Sequence, residues 1–207
     1  MKVMIMDCFH WMGFHLVEKY LSEGIEVIGL DQMDHPRKEF LYSMIGRNAL
    51  FEWNEDISKV ESDESKHSVI AFNQQPTKVK KLLKRYKIRG DFYFIMEEGN
   101  SSRNNSEELG LIQNEYMIYT PALMGKWMDD GRFHEVTELE EYIWMDDFVS
   151  WLFSFIEQSN KPNLVYLTNQ YSRGELDFTS HVSKQDAIEQ IQEHISNWKC
   201  EYYHLNS

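Results

Sequence analysis

A short loop and a single acid near the N-terminus have the spacing of a nucleotide site. Residues 2–31 read KVMIMDCFHWMGFHLVEKYLSEGIEVIGLD. The pattern predicts a buried strand at 3–6, a loop at 7–13, a helix presenting Phe14, Val17 and Leu21, and a second strand at 27–30. In such a unit the loop can hold a phosphate, and an acid at the end of the second strand, here Asp31, can hold a ribose. These residues therefore point to a nucleotide-binding scaffold.

The elements that would position this loop continue through the chain. Further strands are predicted at 49–53, 69–72, 91–96, 116–119 and 163–167. Helices are predicted at 37–48, 77–86, 107–112 and 145–158 and after Ser183, and residues 123–136 are predicted to be irregular. Strands that alternate with helices predict an α/β fold, a Rossmann-like doubly wound and mostly parallel sheet. Without an internal repeat or a long linker, residues 1–207 are predicted to form one domain.

Composition narrows the class of function. The chain has 207 residues and a formal net charge of −13, and only residues 78–89 are locally basic, which argues against nucleic-acid binding. Two distant cysteines and eight scattered histidines match no ligand spacing, so no metal site is expected. No apolar run has the roughly 20 residues of a membrane span, and the N-terminus lacks a signal-peptide layout. We therefore expect a soluble, cytoplasmic protein that does not bind membranes.

Several segments carry a resemblance to a known family. The opening 31 residues align without a gap with the first unit of the extended short-chain dehydrogenase/reductases, in the NAD-dependent epimerase/dehydratase branch. YIWMDDFV at 142–149, NLVYLTN at 163–169 and the weaker NEDISK at 54–59 resemble later segments of the same family. The resemblance implies that Asp56 and Ile57 approach an adenine, that residues from about 120 to 207 are a reduced substrate lobe, and that a homodimer is plausible.

The chain departs from this family where the family does its chemistry. Of the three glycines in the phosphate loop G-x-x-G-x-x-G only the third is present, as Gly13, while Asp7 and His10 stand at the first two positions. Gly13 would be the packing glycine, and the two that face the ligand are lost. A carboxylate about 4 Å from a diphosphate charge would repel it by about 4 kcal/mol at an effective dielectric constant of about 20. A protonated His10 would partly offset this repulsion.

The catalytic pair of the family is missing as well. None of the 11 tyrosines has a lysine four residues later, so the Tyr-x-x-x-Lys motif is absent. In the family this tyrosine is the acid/base, and the lysine lowers its pKa and holds the ribose. The position of the family's Ser/Thr after the fifth strand falls near Glu97. No NAD(P) cofactor is expected on these grounds.

The candidate site residues each admit two interpretations. His10, Trp11, Met12 and Gly13 either form a remodelled pocket wall or simply pack the loop. Asp31 either contacts a ligand or ends a strand in solvent. Glu97 and Glu98 either do acid/base work at the carboxyl edge of the sheet or are merely solvated. Asp146 and Asp147 lie near a substrate-lobe junction by resemblance, but a helix N-terminus accounts for them more simply.

These observations lead to one hypothesis and its rivals. The chain is predicted to be a catalytically degenerate epimerase/dehydratase-like protein, a binding or regulatory module for an unknown small ligand or protein partner. The alternative is an active NAD(P)-dependent epimerase, dehydratase or reductase on a nucleotide sugar, with Tyr116 or Glu97 as an atypical base. A purely structural or assembly role is the third possibility.

Overall fold

Seven parallel strands form the central sheet of this protein, described here from a computed structural model. The structure describes residues 2–60, 67–97, 114–138, 142–167 and 182–199. The sheet has the strand order β3-β2-β1-β4-β5-β6-β9, and a separate parallel pair joins β7 to β8. The strands are β1 (Lys2–Met6), β2 (Glu26–Leu30), β3 (Phe51–Asn54), β4 (His67–Phe72), β5 (Gly90–Glu97), β6 (Glu115–Thr120), β7 (Ala122–Met124), β8 (Tyr142–Trp144) and β9 (Leu164–Tyr166).

Helices cover both faces of this sheet. They are α1 (Trp11–Ser22), α2 (Pro36–Ile45), α3 (Pro76–Arg85), α4 (Asp130–Glu138), α5 (Met145–Glu157) and α6 (Lys184–Asn197), with a 3-10 helix at Ile57–Lys59. One core joins one sheet face to α1, α2, α5 and α6, and the other joins the opposite face to α3 and the 3-10 helix. The predicted α/β class and Rossmann-like parallel sheet are therefore confirmed.

The first unit folds as its residue pattern predicts. All but the first residue of β1 and of β2 are buried, as strands covered on both faces require. Helix α1 buries Phe14, Leu16, Val17 and Tyr20. Gly24 follows the helix with φ +73°, a left-handed conformation that glycine adopts without steric cost. The chain can then reverse into β2, which pairs with β1 in parallel.

The structure corrects the prediction in two places. Helix α1 begins at Trp11, so Trp11, Met12 and Gly13 belong to its first turn and not to a loop. Residues 123–136, predicted to be irregular, include most of β7 and of α4, and β8 was not predicted. Strands of three residues carry too little periodicity to be recognised, because they exist only through their mutual pairing. The helix predicted at 107–112 lies outside the described residues.

The chain after β8 returns to the main sheet. Helix α5 packs against α1 and buries an apolar face that includes Phe148, Leu152 and Phe155. Strand β9 then pairs with β6 at the edge of the sheet. None of the helices over the described ranges is long and apolar enough to cross a membrane.

Candidate functional site

The carboxyl ends of β1 and β4 form the point where the strand order reverses. From β1 the chain runs outward to β2 and β3, then returns to β4 on the other side of β1 and continues to β5 and β6. In open parallel sheets, ligands bind in the crevice outside the strand ends at this point. The segment between β1 and α1 lies there, so the geometry of residues 7–13 decides what the crevice can accept.

Gly13 brings α1 into direct contact with the end of β1. A Cβ atom at this position would lie 2.3 Å from the carbonyl oxygen of Asp7 and 3.0 Å from the Cα of Cys8. Both neighbours are backbone atoms, so they cannot move aside cheaply. The position therefore needs glycine for close packing of helix on strand, which is the role that the sequence pattern implied for Gly13.

Asp7 takes a glycine-like backbone conformation without being glycine. Its φ is +52°, in the left-handed region that aspartate tolerates better than most residues. Its exposed carboxylate accepts a hydrogen bond from the side-chain amide of Gln74. The pKa of Asp7 is raised, first because the surrounding protein removes water from it and also because Asp31 is near, although the Gln74 hydrogen bond opposes both effects. A second negative group at this point would be strongly disfavoured.

Asp31 is engaged by the protein itself. Its Oδ2 accepts the backbone N–H of Phe9 at 2.8 Å, and its Oδ1 accepts the ammonium of Lys38 at 2.8 Å. The side chain is only 2% exposed. Of the two interpretations of Asp31, the solvated strand end is therefore wrong, and contact with a ligand stays a prediction. A ribose hydroxyl could reach this carboxylate only by displacing the loop amide or the lysine.

Trp11, Met12 and His10 divide between the core and the surface. The indole of Trp11 and the side chain of Met12 are buried in the core that α1 shares with α5. His10 is exposed and precedes the helix without capping it through its side chain. Desolvation lowers the pKa of His10, although Asp129 and Asp7 act in the opposite direction. The lowered pKa makes His10 harder to protonate than a free imidazole, so it offsets the charge of Asp7 only weakly.

A cavity of about 370 Å³ opens between the ends of β1, β2 and β3. Its floor is apolar, and its rim carries five carboxylates and one ammonium group. Asp56 and Ile57, the pair implied by the resemblance, both line it: Ile57 is buried, and the Asp56 carboxylate accepts the Ser58 N–H at 2.7 Å to cap the 3-10 helix. The lining residues are Met6, Asp7, Leu30, Asp31, Gln32, Asp34, Lys38, Glu55, Asp56, Ile57 and Leu82.

Glu97, at the carboxyl end of β5, is buried and not solvated. Its Oε1 accepts the backbone N–H of Leu123 at 2.8 Å and the Arg132 guanidinium at 2.9 Å, and its Oε2 accepts the Asn73 side-chain amide at 3.2 Å. The Glu97 N–H donates to Asn73 Oδ1 at 3.0 Å. Glu97 thus joins β4, β5, β7 and α4, and Glu98 lies outside the described residues.

The other candidate groups lie away from the crevice. Tyr116 is the second residue of β6, near the amino edge of the sheet, and stacks on Tyr93 with ring centroids 4.9 Å apart. Asp146, in the first turn of α5, binds the buried His15 Nδ1 at 3.0 Å. Burial raises the pKa of Asp146, but the hydrogen bond and the charge interaction with His15, together with Lys126, outweigh it, so the net shift is downward.

Sequence reasoning missed the partners that close the site. Lys38 contacts Asp31 and Asp34, each at 2.8 Å, and Gln74 and Asn73 reach across from the end of β4. The i, i+4 spacing of Asp34 and Lys38 at the start of α2 could have predicted their ion pair. No group of metal-ligating side chains of useful geometry occurs among the residues that the structure describes.

Known structures share this fold at low sequence identity. No family model matches the sequence, and no characterised protein matches it by sequence. Vestitone reductase from alfalfa has a TM-score of 0.66 at 10% identity, with 96% of this chain and 99% of that chain covered. A UDP-galactose 4-epimerase has a TM-score of 0.58 at 13% identity, with 96% of this chain and 99% of that chain covered. The yeast methylglyoxal/isovaleraldehyde reductase Gre2, in complex with NADPH, has a TM-score of 0.54 at 16% identity, with 82% of this chain and 76% of that chain covered. The chain therefore has the fold of the extended short-chain dehydrogenase/reductases, as its opening residues predicted.

Proposed function

We propose that this chain is a catalytically degenerate protein of the extended short-chain dehydrogenase/reductase fold, which binds a small ligand other than a dinucleotide in the cavity beside Asp31. A volume of about 370 Å³ suits a small molecule. The apolar side chains that line the cavity could bury apolar surface of such a molecule. The carboxylates on the rim disfavour a phosphorylated ligand and favour a neutral or cationic one.

The pairing of Asp31 carries this proposal. Both of its oxygens are bound, one by the Phe9 N–H and the other by Lys38. In a working dinucleotide site the acid would be available to the ribose and the loop backbone would face the diphosphate. Here the acid holds the loop, and Asp7 adds a carboxylate where the diphosphate would lie. The residues present do not fit NAD(P).

The arrangement of the two proposed bases also supports a loss of catalysis. Glu97 accepts hydrogen bonds from Asn73, Leu123 and Arg132 and is 2% exposed, so it is not free to take a proton from a substrate. Tyr116 lies near the opposite edge of the sheet. The alternative of an active epimerase, dehydratase or reductase would need another base.

Calorimetric titration with NAD⁺, NADH, NADP⁺ and NADPH tests the proposal. We expect no saturable binding of any of the four in the micromolar range. The double substitution Asp7→Gly with His10→Gly restores the glycine pattern and removes the charge, so it should strengthen dinucleotide binding by at least about tenfold. Micromolar binding of a dinucleotide to the unmodified chain would refute the proposal.

A matched variant shows whether the gain comes from the loop. Asp34→Gly removes a carboxylate from the rim of the same cavity but leaves residues 7–13 unchanged. We expect it to strengthen dinucleotide binding far less than the loop substitutions. Equal gains from both variants would mean that the general negative charge of the cavity, and not the loop, excludes the diphosphate.

A further inference from the structure

The cations of this acidic chain are strongly segregated. Residues 78–89 read KVKKLLKRYKIR and contain seven of the 21 lysines and arginines but no acid, in a chain with a net charge of −13. Helix α3 and the residues that follow it carry this segment. Positive and negative side chains are usually interspersed on the surface of a soluble protein, so solubility alone does not explain this segregation.

Among the described residues, only one of these seven cations takes part in an ion pair. Helix α3 buries Val79 and Leu83 against the sheet, and Lys80 forms an ion pair with the buried Glu115 of β6. The other six cations are exposed, and no ion pair joins them to another described residue. They are Lys78, Lys81, Lys84, Arg85, Lys87 and Arg89.

Part of this charge pattern is unfavourable for the helix that carries it. Lys81 has like charges at i+3 and i+4, Lys84 and Arg85, and such pairs repel on a helix surface. Lys84 and Arg85 lie in the last turn, where the helix dipole favours cations, but Lys78 lies in the first turn, where it disfavours them, and Gln75 supplies no capping side chain. Acids at alternate positions would have stabilised the same helix. The pattern is therefore better explained by binding than by folding.

An exposed apolar pair lies on the same face of the sheet. The Lys80 side chain of α3 reaches Glu115 at the start of β6, and β9 is the next strand. Leu164 and Tyr166 of β9 are aligned with Met117 and Tyr119 of β6, which pack in the core under α3. Leu164 is 43% exposed and Tyr166 56% exposed, and Tyr166 stacks on Tyr119 with ring centroids 4.9 Å apart.

We propose that the outer face of α3, together with Leu164 and Tyr166, docks an acidic amphipathic segment of a partner protein. Carboxylates of the segment would meet the six exposed cations, and its apolar side chains would cover the pair on β9. We call these eight residues, the six exposed cations together with Leu164 and Tyr166, the α3 surface. The proposal does not depend on the cavity beside Asp31, since the α3 surface shares no residue with it.

Other occupants fit the α3 surface less well. A second copy that docked through the same face in a two-fold pair would place cations against cations. A long polyanion such as RNA would extend over the rest of a strongly acidic molecule and be repelled there. A short acidic segment responds mainly to charges within about 8 Å, the screening length at physiological ionic strength, and so experiences the local positive field.

Binding of defined probes to the whole chain tests the proposal. The main probe is a fluorescent peptide of roughly 16 residues in which Glu and Leu repeat at helical spacing, and poly-L-glutamate and polyuridylate are the comparison probes. We expect saturable binding of the peptide by fluorescence anisotropy, weakened by salt, and tighter per chain than that of either comparison probe. The double variant Lys81→Glu, Lys84→Glu should bind the peptide at least about tenfold more weakly.

Two controls make the result decisive. Arg47→Glu with Lys199→Glu makes the same change of net charge at exposed residues elsewhere, and it should leave peptide binding unchanged within about twofold. Tyr166→Ser should weaken binding of the peptide but not of poly-L-glutamate. Equal losses in the two charge variants, or tighter binding of polyuridylate than of the peptide, would overturn the proposal, and either result leaves the dinucleotide titration unaffected.

Discussion

Two regions at the carboxyl edge of the same sheet differ in how their carboxylates are surrounded. At the ends of β1 and β2, Asp7 and Asp31 border a cavity of about 370 Å³ with three further acids on its rim. At the end of β5, Glu97 is enclosed, and each of its oxygens accepts hydrogen bonds from neighbouring elements. The region at β1 and β2 keeps an open cavity, and Asp31 holds the adjacent loop through the Phe9 N–H. The carboxylate at β5 instead holds neighbouring elements together.

This difference distinguishes the proposed ligand site from a site that holds the framework together. A buried carboxylate whose partners all come from the protein stabilises the packing of the elements that supply them. Around the open cavity, five carboxylates share the single ammonium group of Lys38, so negative charge is left in excess there. We therefore expect substitutions at Glu97 to reduce folding stability strongly, and substitutions at Asp7 to affect stability little and binding more.

The largest expected effect is that of Glu97→Ala. The substitution leaves the Leu123 N–H and the half-buried Arg132 without their carboxylate, and removing one partner of a buried pair costs about 3 kcal/mol. Urea unfolding would measure the change in the free energy of unfolding. Glu135→Ala removes an exposed partner of the same arginine and should cost less than about 0.5 kcal/mol. Similar costs for the two variants would contradict the structural role of Glu97.

A smaller loss is expected for Asp31→Asn. The amide can still accept the Phe9 N–H, but it no longer neutralises Lys38, and hydrogen bonds to charged groups contribute about 1.5–3 kcal/mol. A double-mutant cycle with Lys38→Met should give a coupling energy of at least about 1 kcal/mol, because the two groups are in direct contact. A coupling energy near zero would show that Asp31 holds only the loop and that the lysine is incidental.

The smallest effect, and the only stabilising one, is expected for Asp7→Asn. The folded-state pKa of Asp7 is raised, so at neutral pH its ionised form costs stability that is recovered as the pH falls through that pKa. The neutral asparagine keeps the left-handed backbone and an acceptor for Gln74. We expect a gain of about 0.5 kcal/mol or less at pH 7.

The pH dependence checks the cause of that gain. In the unmodified chain the carboxyl group becomes protonated on acidification, so the difference between the two proteins should shrink as the pH falls. Thermal unfolding between pH 7 and pH 4 would measure it. A gain that stays constant over this range would mean that backbone preference and not charge is responsible. Asp146, whose pKa is lowered, contributes the opposite slope in both proteins, so its effect cancels.

The sequence alone determined the scaffold of this protein. Apolar runs and helical spacing between residues 2 and 97 located five strands and three helices of the parallel sheet, because local periodicity reports which face of each element is buried. The glycine pattern likewise identified Gly13 as a close contact between α1 and the end of β1 and showed that two glycines are missing, and the tyrosine positions showed that the Tyr-x-x-x-Lys pair is missing.

Only the tertiary structure decided what those residues do. The fold brings together segments up to 35 residues apart in the chain. Only this places the Phe9 N–H and Lys38 on Asp31. It also places Asn73, Leu123 and Arg132 on Glu97. The same holds for β7 and β8, whose three residues each are ordered by pairing and not by propensity. A carboxylate has the same formal charge wherever it lies, and its partners, which no local pattern encodes, determine whether it binds a ligand or joins the framework.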